Sequence, residues 1–190
     1  APLGEYAAGE PGERTSALYA LADRGNVVLR GWGATCLLRP VPHVACVRIT
    51  RSMKKRVEWL MGDLETDDAA FAEAEIRRSD QAHAARMHAQ FGVTWGDPLL
   101  YDLVLNTERI SVESCVHQIR ALLERPEFRE TEMSRALLQS LLLQARVRAA
   151  LKADERTRDV NVSIDSAAGL VTLRGIVATG DELAATVQVA

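Results

Sequence analysis

The sequence lacks any apolar run of the ~18 to 20 residues that a bilayer span requires, and no charged-then-apolar signal segment opens it. A membrane span is therefore not expected. It has only three cysteines, Cys36, Cys46 and Cys115, odd in number and widely spaced, which fits neither a disulfide framework nor a zinc motif. They read as small buried apolar residues in a reducing compartment, so the expected location is cytoplasmic. There is no excess of positive charge either: 23 Lys and Arg against 26 Asp and Glu leave a net charge of -3. Without a large positive field, nonspecific binding to nucleic acid or to an anionic membrane is disfavoured. His83 and His88 stand five residues apart, the wrong helical offset for a paired metal site.

What is present is a chain of 190 residues, 47% hydrophobic, long enough for one medium domain or two small ones. After a Gly/Pro/Glu-rich opening, in which Gly4 to Gly12 reads as a flexible leader, Thr15 to Arg24 has helix-forming composition and Gly25 supplies a stop. Val27 to Leu29 reads as a short buried strand ending at Gly31-Trp32-Gly33-Ala34, where two glycines permit a tight turn and close approach of a ligand or another backbone. Beyond Pro40 and Pro42, the β-branched run Val44 to Ile49 favours strand. A basic stretch, Arg48, Arg51, Lys54, Lys55 and Arg56, leads into a helix with Met53, Val57, Leu60, Met61 and Leu64 on one face. The next helix starts near Thr66-Asp67-Asp68 and runs to about Gln90; its inward stripe is Ala72, Ile76, Asp80, His83 and Met87, so a carboxylate and an imidazole share an apolar face. Tyr101 to Thr107 is a third strand, and Ser111 caps a further helix ending before Pro126.

Strands separated by helices point to α/β architecture with a mainly parallel sheet. Such a sheet is normally buried on both faces, so three strands predict one or two more upstream of Ala1. That the chain opens on Ala1 rather than Met carries the same expectation. From Thr131 the pattern changes to a long Leu-rich helix, then to the alternation Val160, Val162, Ile164, a Gly169 turn, and Val171, Leu173. Thr179 and Glu182 form a capping-box pattern that opens a last helix. A separate C-terminal module is expected, with its boundary near Pro126 to Glu130.

The segment from Gly25 through Gly31-Trp32-Gly33-Ala34 to Val47 resembles the cytidylate-kinase-like family, in which a strand delivers a Gly-Arg-Gly-type turn to the acceptor nucleotide. Met53 to Met61 resembles the helix leading into that family's lid, and Ile76 to Phe91 its Asp-containing acceptor helix. Trp95-Gly96-Asp97-Pro98 with Tyr101 to Thr107 resembles its closing strand. The resemblance covers roughly residues 15 to 123. It implies a partial P-loop-kinase-like parallel sheet over residues 1–128, a nucleoside monophosphate as substrate, and ATP with Mg2+ as the donor in the parent protein. It also implies Arg56 as the catalytic cation and Gly31, Trp32, Gly33, Asp80 and His83 as acceptor-binding residues. Residues 129–190 resemble an incomplete BON domain, a small α+β module, on Val147, Leu151, the Val160 to Ile164 and Gly169 to Gly175 strands and the Ala184 helix; the family's final strand is missing. That likeness implies a phospholipid or protein partner.

Several positions depart from the kinase pattern. The sequence has no G-x-x-x-x-G-K-[ST] loop or close variant, so a donor-phosphate site is expected only upstream of Ala1. Trp32 stands where an Arg would meet the acceptor phosphate, Glu58 and Trp59 where a second lid arginine is usual, and His83 where another Arg is expected. These losses imply an altered acceptor or a degenerate kinase fold serving as nucleotide sensor or scaffold. Plainer readings stand beside the functional ones. Asp80 fits a solvated helix edge as well as a ligand position, and His83 fits a satisfied core histidine. Arg51, Lys54 and Lys55 fit a solvated face; Asp102, Asn106 and Thr107 fit polar structure at the ends of a strand.

Overall fold

A computed structural model describes residues 3–4, 11–31 and 33–190. The elements in chain order are β1 (Leu3–Gly4), α1 (Pro11–Asp23), β2 (Val28–Leu29), α2 (Ala34–Leu38), β3 (Val47–Thr50), α3 (Met53–Asp63) and α4 (Ala69–Phe91). There follow β4 (Leu103–Asn106), α5 (Val112–Leu123), α6 (Glu132–Ala153), β5 (Val162–Ala167), β6 (Leu170–Gly175) and α7 (Gly180–Val189). Short 3-10 turns at Pro98–Leu100 and Pro126–Phe128 precede β4 and α6. This is a mixed α/β chain with small parallel sheets.

The chain divides into two compact units, one formed by Ala1–Ala34 with Glu130–Ala190 and the other by Thr35–Arg129. This grouping differs from a division into residues 1–128 and 129–190, because the first 34 residues belong with the C-terminal ones. The three strands expected in one sheet are also distributed differently. β2 takes its hydrogen bonds from β1 in a parallel pair, whereas β3 pairs in parallel with β4. β2 holds only two residues, so its pairing with β1 is a short one. Gly4, expected in a flexible leader, lies in β1, and Gly12 lies in the first turn of α1; residues 5–10 fall outside the described residues.

In the unit of Thr35–Arg129, β3 and β4 run with Val47 opposite Leu103 and Ile49 opposite Leu105. Buried Leu38, Val41, Cys46, Leu100, Leu105 and Cys115 supply much of its core, joined by Ala72, Ile76 and Met87 from α4. The helix ends have local causes. Ser52 caps α3 by accepting from the Lys55 amide, and Asp68 caps α4 by accepting from Phe71 at 2.9 Å. Gly92 closes α4 at φ 65, a left-handed conformation that costs glycine nothing. α3 and α4 pack on one another, which brings their polar residues face to face.

In the other unit, α1 packs along α6 and contributes the fully buried Leu18. β5 and β6 form an antiparallel hairpin turned by Ala168 and Gly169, both at positive φ. The hairpin packs on α6 through Val147, Leu151, Val160, Val162 and Ile164, with Val171, Leu173 and Val189 half-buried against them. A hydrogen bond from the Thr157 hydroxyl to the Leu151 carbonyl at 2.7 Å satisfies the buried end of α6.

Candidate functional site

The polar residues of α3 and α4 meet where the two helices pack. Arg56 lies one turn into α3, and Asp80 lies midway along α4 on the same stripe as Ala72, Ile76, His83 and Met87. Of that stripe Ala72, Ile76, His83 and Met87 are buried, while the Asp80 side chain keeps 28% of its surface. The Arg56 guanidinium donates from Nη1 to Asp80 Oδ2 and from Nη2 to Oδ1, both at 2.7 Å. This fork-to-carboxylate geometry is the strongest arrangement open to an arginine, and the Asp80 hydrogen bond raises the Arg56 pKa further. With a third of each side chain in solvent, the pair stabilises the fold by only about 1 kcal/mol.

His83, one turn beyond Asp80, is buried, with its ring centroid 4.3 Å from that of Trp95 and tilted by 40°. Burial lowers its pKa below the usual 6.5, Arg86 and Arg48 push the same way, and Asp80 opposes them. The imidazole is therefore neutral at pH 7. It does not replace the arginine expected at this position as a cation.

Arg48, on β3, completes the cluster. Its Nη1 donates to the Trp95 carbonyl and to the Tyr101 hydroxyl at 3.3 Å, and that hydroxyl itself donates to the Trp95 carbonyl at 3.0 Å. The guanidinium carbon lies 4.5 Å from the Trp95 ring centroid and 5.4 Å from that of Tyr101. In the sequence Arg48 reads as one member of a basic run, and Trp95 and Tyr101 as parts of the segment that resembles the family's closing strand. The alternation of β3 carried the missed signal, since it sends Arg48 to the opposite face from Val47 and Ile49.

Gly31 and Gly33 belong to the other unit; Gly33 is buried at φ 97, in the left-handed region. Trp32 lies outside the described residues. The structure thus brings Arg56, Asp80 and His83 together, whereas the glycine turn belongs to a different unit. Glu58 is paired with Lys55 at 2.5 Å, and Trp59 is exposed. Asp102 accepts from the Cys46 amide at 2.7 Å and returns its own amide to the Cys46 carbonyl, so it fastens the start of β4. Burial first, and then the Asp102 charge, push the Cys46 thiol up to about 11 and keep it protonated. Asn106 accepts from the Glu108 amide and Thr107 donates to the Thr50 carbonyl, polar structure at the other end of the strand.

No group of three or more His, Cys, Asp or Glu among the described residues is placed to hold a metal ion, and the one carboxylate at this site is already closed by a guanidinium. Among the described residues no helix is long and apolar enough to cross a membrane.

A parallel strand pair flanked by helices, with a charged cluster between the helices that follow its first strand, is consistent with a kinase-like α/β fold. The family model described as the cytidylate kinase-like family matches residues 13–109, just over half of the chain, and the chain belongs to that family. The match begins in α1 and ends just beyond β4. No curated protein matches the chain.

Proposed function

We propose that this chain carries the acceptor side of a nucleoside-monophosphate kinase: it holds a cytidylate-like nucleotide against α3 and α4, and the parent protein supplies the ATP-binding loop from residues outside this sequence. Family membership supports this reading, and the forked Arg56–Asp80 pair is the observation that carries it. The pair sets a cation and a carboxylate side by side on two facing helices. Asp80 retains acceptor capacity for an amino or hydroxyl donor of a base or ribose. Arg56, held in plane by Asp80, is the cation for the phosphoryl group in transfer, and a nucleotide that engages Asp80 releases the fork toward it. Because the sequence has no G-x-x-x-x-G-K-[ST] loop to wrap donor phosphates in backbone amides, the expected outcome is no turnover by the 190 residues alone.

Two measurements test the reading. Calorimetry on the wild-type chain should show binding of cytidylate that falls about tenfold or more in Asp80→Asn, while a coupled ADP-release assay with ATP and cytidylate should stay at background. Absence of any nucleoside monophosphate binding would remove the acceptor reading, and clear turnover by purified chain would remove the claim of an external donor site.

A second reading is favoured by one specific observation, the replacement of cations by Trp32, Glu58, Trp59 and a neutral His83. In that reading the fold senses a nucleotide without transferring phosphate, and the α/β module of residues 129–190 engages a protein or phospholipid partner. An extended protein that binds cytidylate yet releases no ADP from ATP distinguishes it.

A further inference from the structure

The cations of the site are not equivalent. Both terminal nitrogens of Arg56 are spent on Asp80, so its fork is closed in the free protein. Arg48 is different. Only its Nη1 is committed, to the Trp95 carbonyl and the Tyr101 hydroxyl, and no carboxylate pairs with it among the described residues. Its guanidinium is held against two aromatic rings, which fixes the plane without neutralising the charge. The Nε and Nη2 donors therefore form an unspent fork on a half-buried, pre-oriented cation, and pre-orientation removes much of the ordering cost that an exposed arginine meets on binding an anion. His83 stacks on the same Trp95 ring and stands within the field of both Arg48 and Asp80, so the aromatic clamp and the Arg56–Asp80 pair belong to one cluster.

We propose that Arg48 is the anion-holding residue of this site and takes the phosphate of the acceptor nucleotide, the task left open where Trp32 stands in place of an arginine. This rests on the acceptor reading above and deepens it: the nucleotide is held by its phosphate at Arg48 and by its base or ribose at Asp80. A dianion placed beside Arg48 also favours the protonated form of the neighbouring His83. Phosphate binding is then coupled to proton uptake by one identified imidazole. The groups that face this imidazole are Arg86 and Asp80 on its own helix, Arg48 from β3, and Trp95 from the loop after α4.

The experiment follows the histidine ring resonances of the wild-type chain by NMR through a pH series, with and without inorganic phosphate, and compares cytidylate with cytidine by calorimetry on wild type, Arg48→Lys and Arg48→Met. Phosphate should raise the pKa of His83. Cytidylate should bind at least tenfold tighter than cytidine. That preference should shrink severalfold in Arg48→Lys, which keeps the charge without the fork, and vanish in Arg48→Met, while cytidine affinity stays the same. If cytidylate outbinds cytidine equally in all three proteins and phosphate leaves His83 unmoved, Arg48 is not the anion site and the acceptor reading stands without it. If phosphate moves His83 but no nucleotide binds, the anion site stands and the acceptor reading falls. Should Arg48→Met fail to fold, the wild-type phosphate series and Arg48→Lys still decide the matter; a wild type that binds neither phosphate nor cytidylate overturns both ideas.

Discussion

At the scale of single residues, a group's environment decides which of two readings of the same side chain holds. His83 is neutral because burial disfavours its charge and two arginines add to that effect. The consequence for stability has a definite sign. In the unfolded chain the imidazole returns to its ordinary pKa near 6.5 and takes a proton first. Its contribution to stability is thus complete above that value and is lost as pH falls through it toward the lower folded value. Urea midpoints of wild type should drop between pH 7.5 and 5.5 by more than those of His83→Gln. Equal drops in the two proteins would show that other groups set the acid sensitivity. The position of His83 on the apolar stripe of α4 was legible from spacings of three and four residues. Its ring partner Trp95 was not, because no periodicity links a helix to the loop beyond it. Arg48 was obscured for the opposite reason. It stands near Arg51, Lys54, Lys55 and Arg56, and a run of like charges reads as one solvated face, although strand geometry turns this single member onto aromatic rings.

At the scale of elements, spacing and caps made the longer pieces readable and left the short ones hidden. The cap of α4 at Asp68, that of α5 at Ser111 and that of α7 at Thr179 follow from short oxygen-bearing side chains ahead of periodic segments. At the start of α6, Ser134 completes a reciprocal cap with Thr131, a role the usual pattern assigns to Glu or Gln. β1 and β2 hold two residues each, too few to show alternation, so their pairing had no sequence signal. In the β5–β6 hairpin the alternation was legible, but the demand on Gly175 emerges only from the register, which sets it opposite Val162. A Cβ at Gly175 would meet Val162 Cγ1 at 2.7 Å and the Asn161 carbonyl at 2.8 Å, and the second contact is backbone that cannot rotate away. Gly175→Ala should therefore destabilise the hairpin by about 1 to 3 kcal/mol, the usual cost of an overpacked site. Thermal unfolding of wild type and variant measures it. An unchanged midpoint would mean that the strand pair opens at this end without cost.

At the scale of the whole molecule, the division of the chain into units is the feature least visible in the sequence. The change of pattern after Pro126 marks where one kind of periodicity gives way to another, and a separate module beginning near residue 130 follows naturally from it. Local pattern cannot report that α1, more than a hundred residues earlier, is the helix packed along α6. α6 needs that cover. Besides the Val147 and Leu151 side chains that face the hairpin, it buries Leu138, Leu142 and Ala145, which lie outside the hairpin core, and α1 brings Leu18 and Tyr19 to the unit in buried form. Removing α1 would uncover apolar side chains that are each worth about 1.5 to 3 kcal/mol when fully buried. The total is on the order of the entire stability of a small domain. Residues 130–190 expressed alone should accordingly be poorly folded, with broad urea unfolding and exposed apolar surface, whereas the same residues joined through a short flexible linker to residues 1–34 should unfold cooperatively. Circular dichroism and urea titration of the two proteins make the comparison. Cooperative unfolding of 130–190 alone, at a midpoint equal to that of the linked protein, would show that the C-terminal module is independent of α1 and that the family-matched segment is not what holds it together.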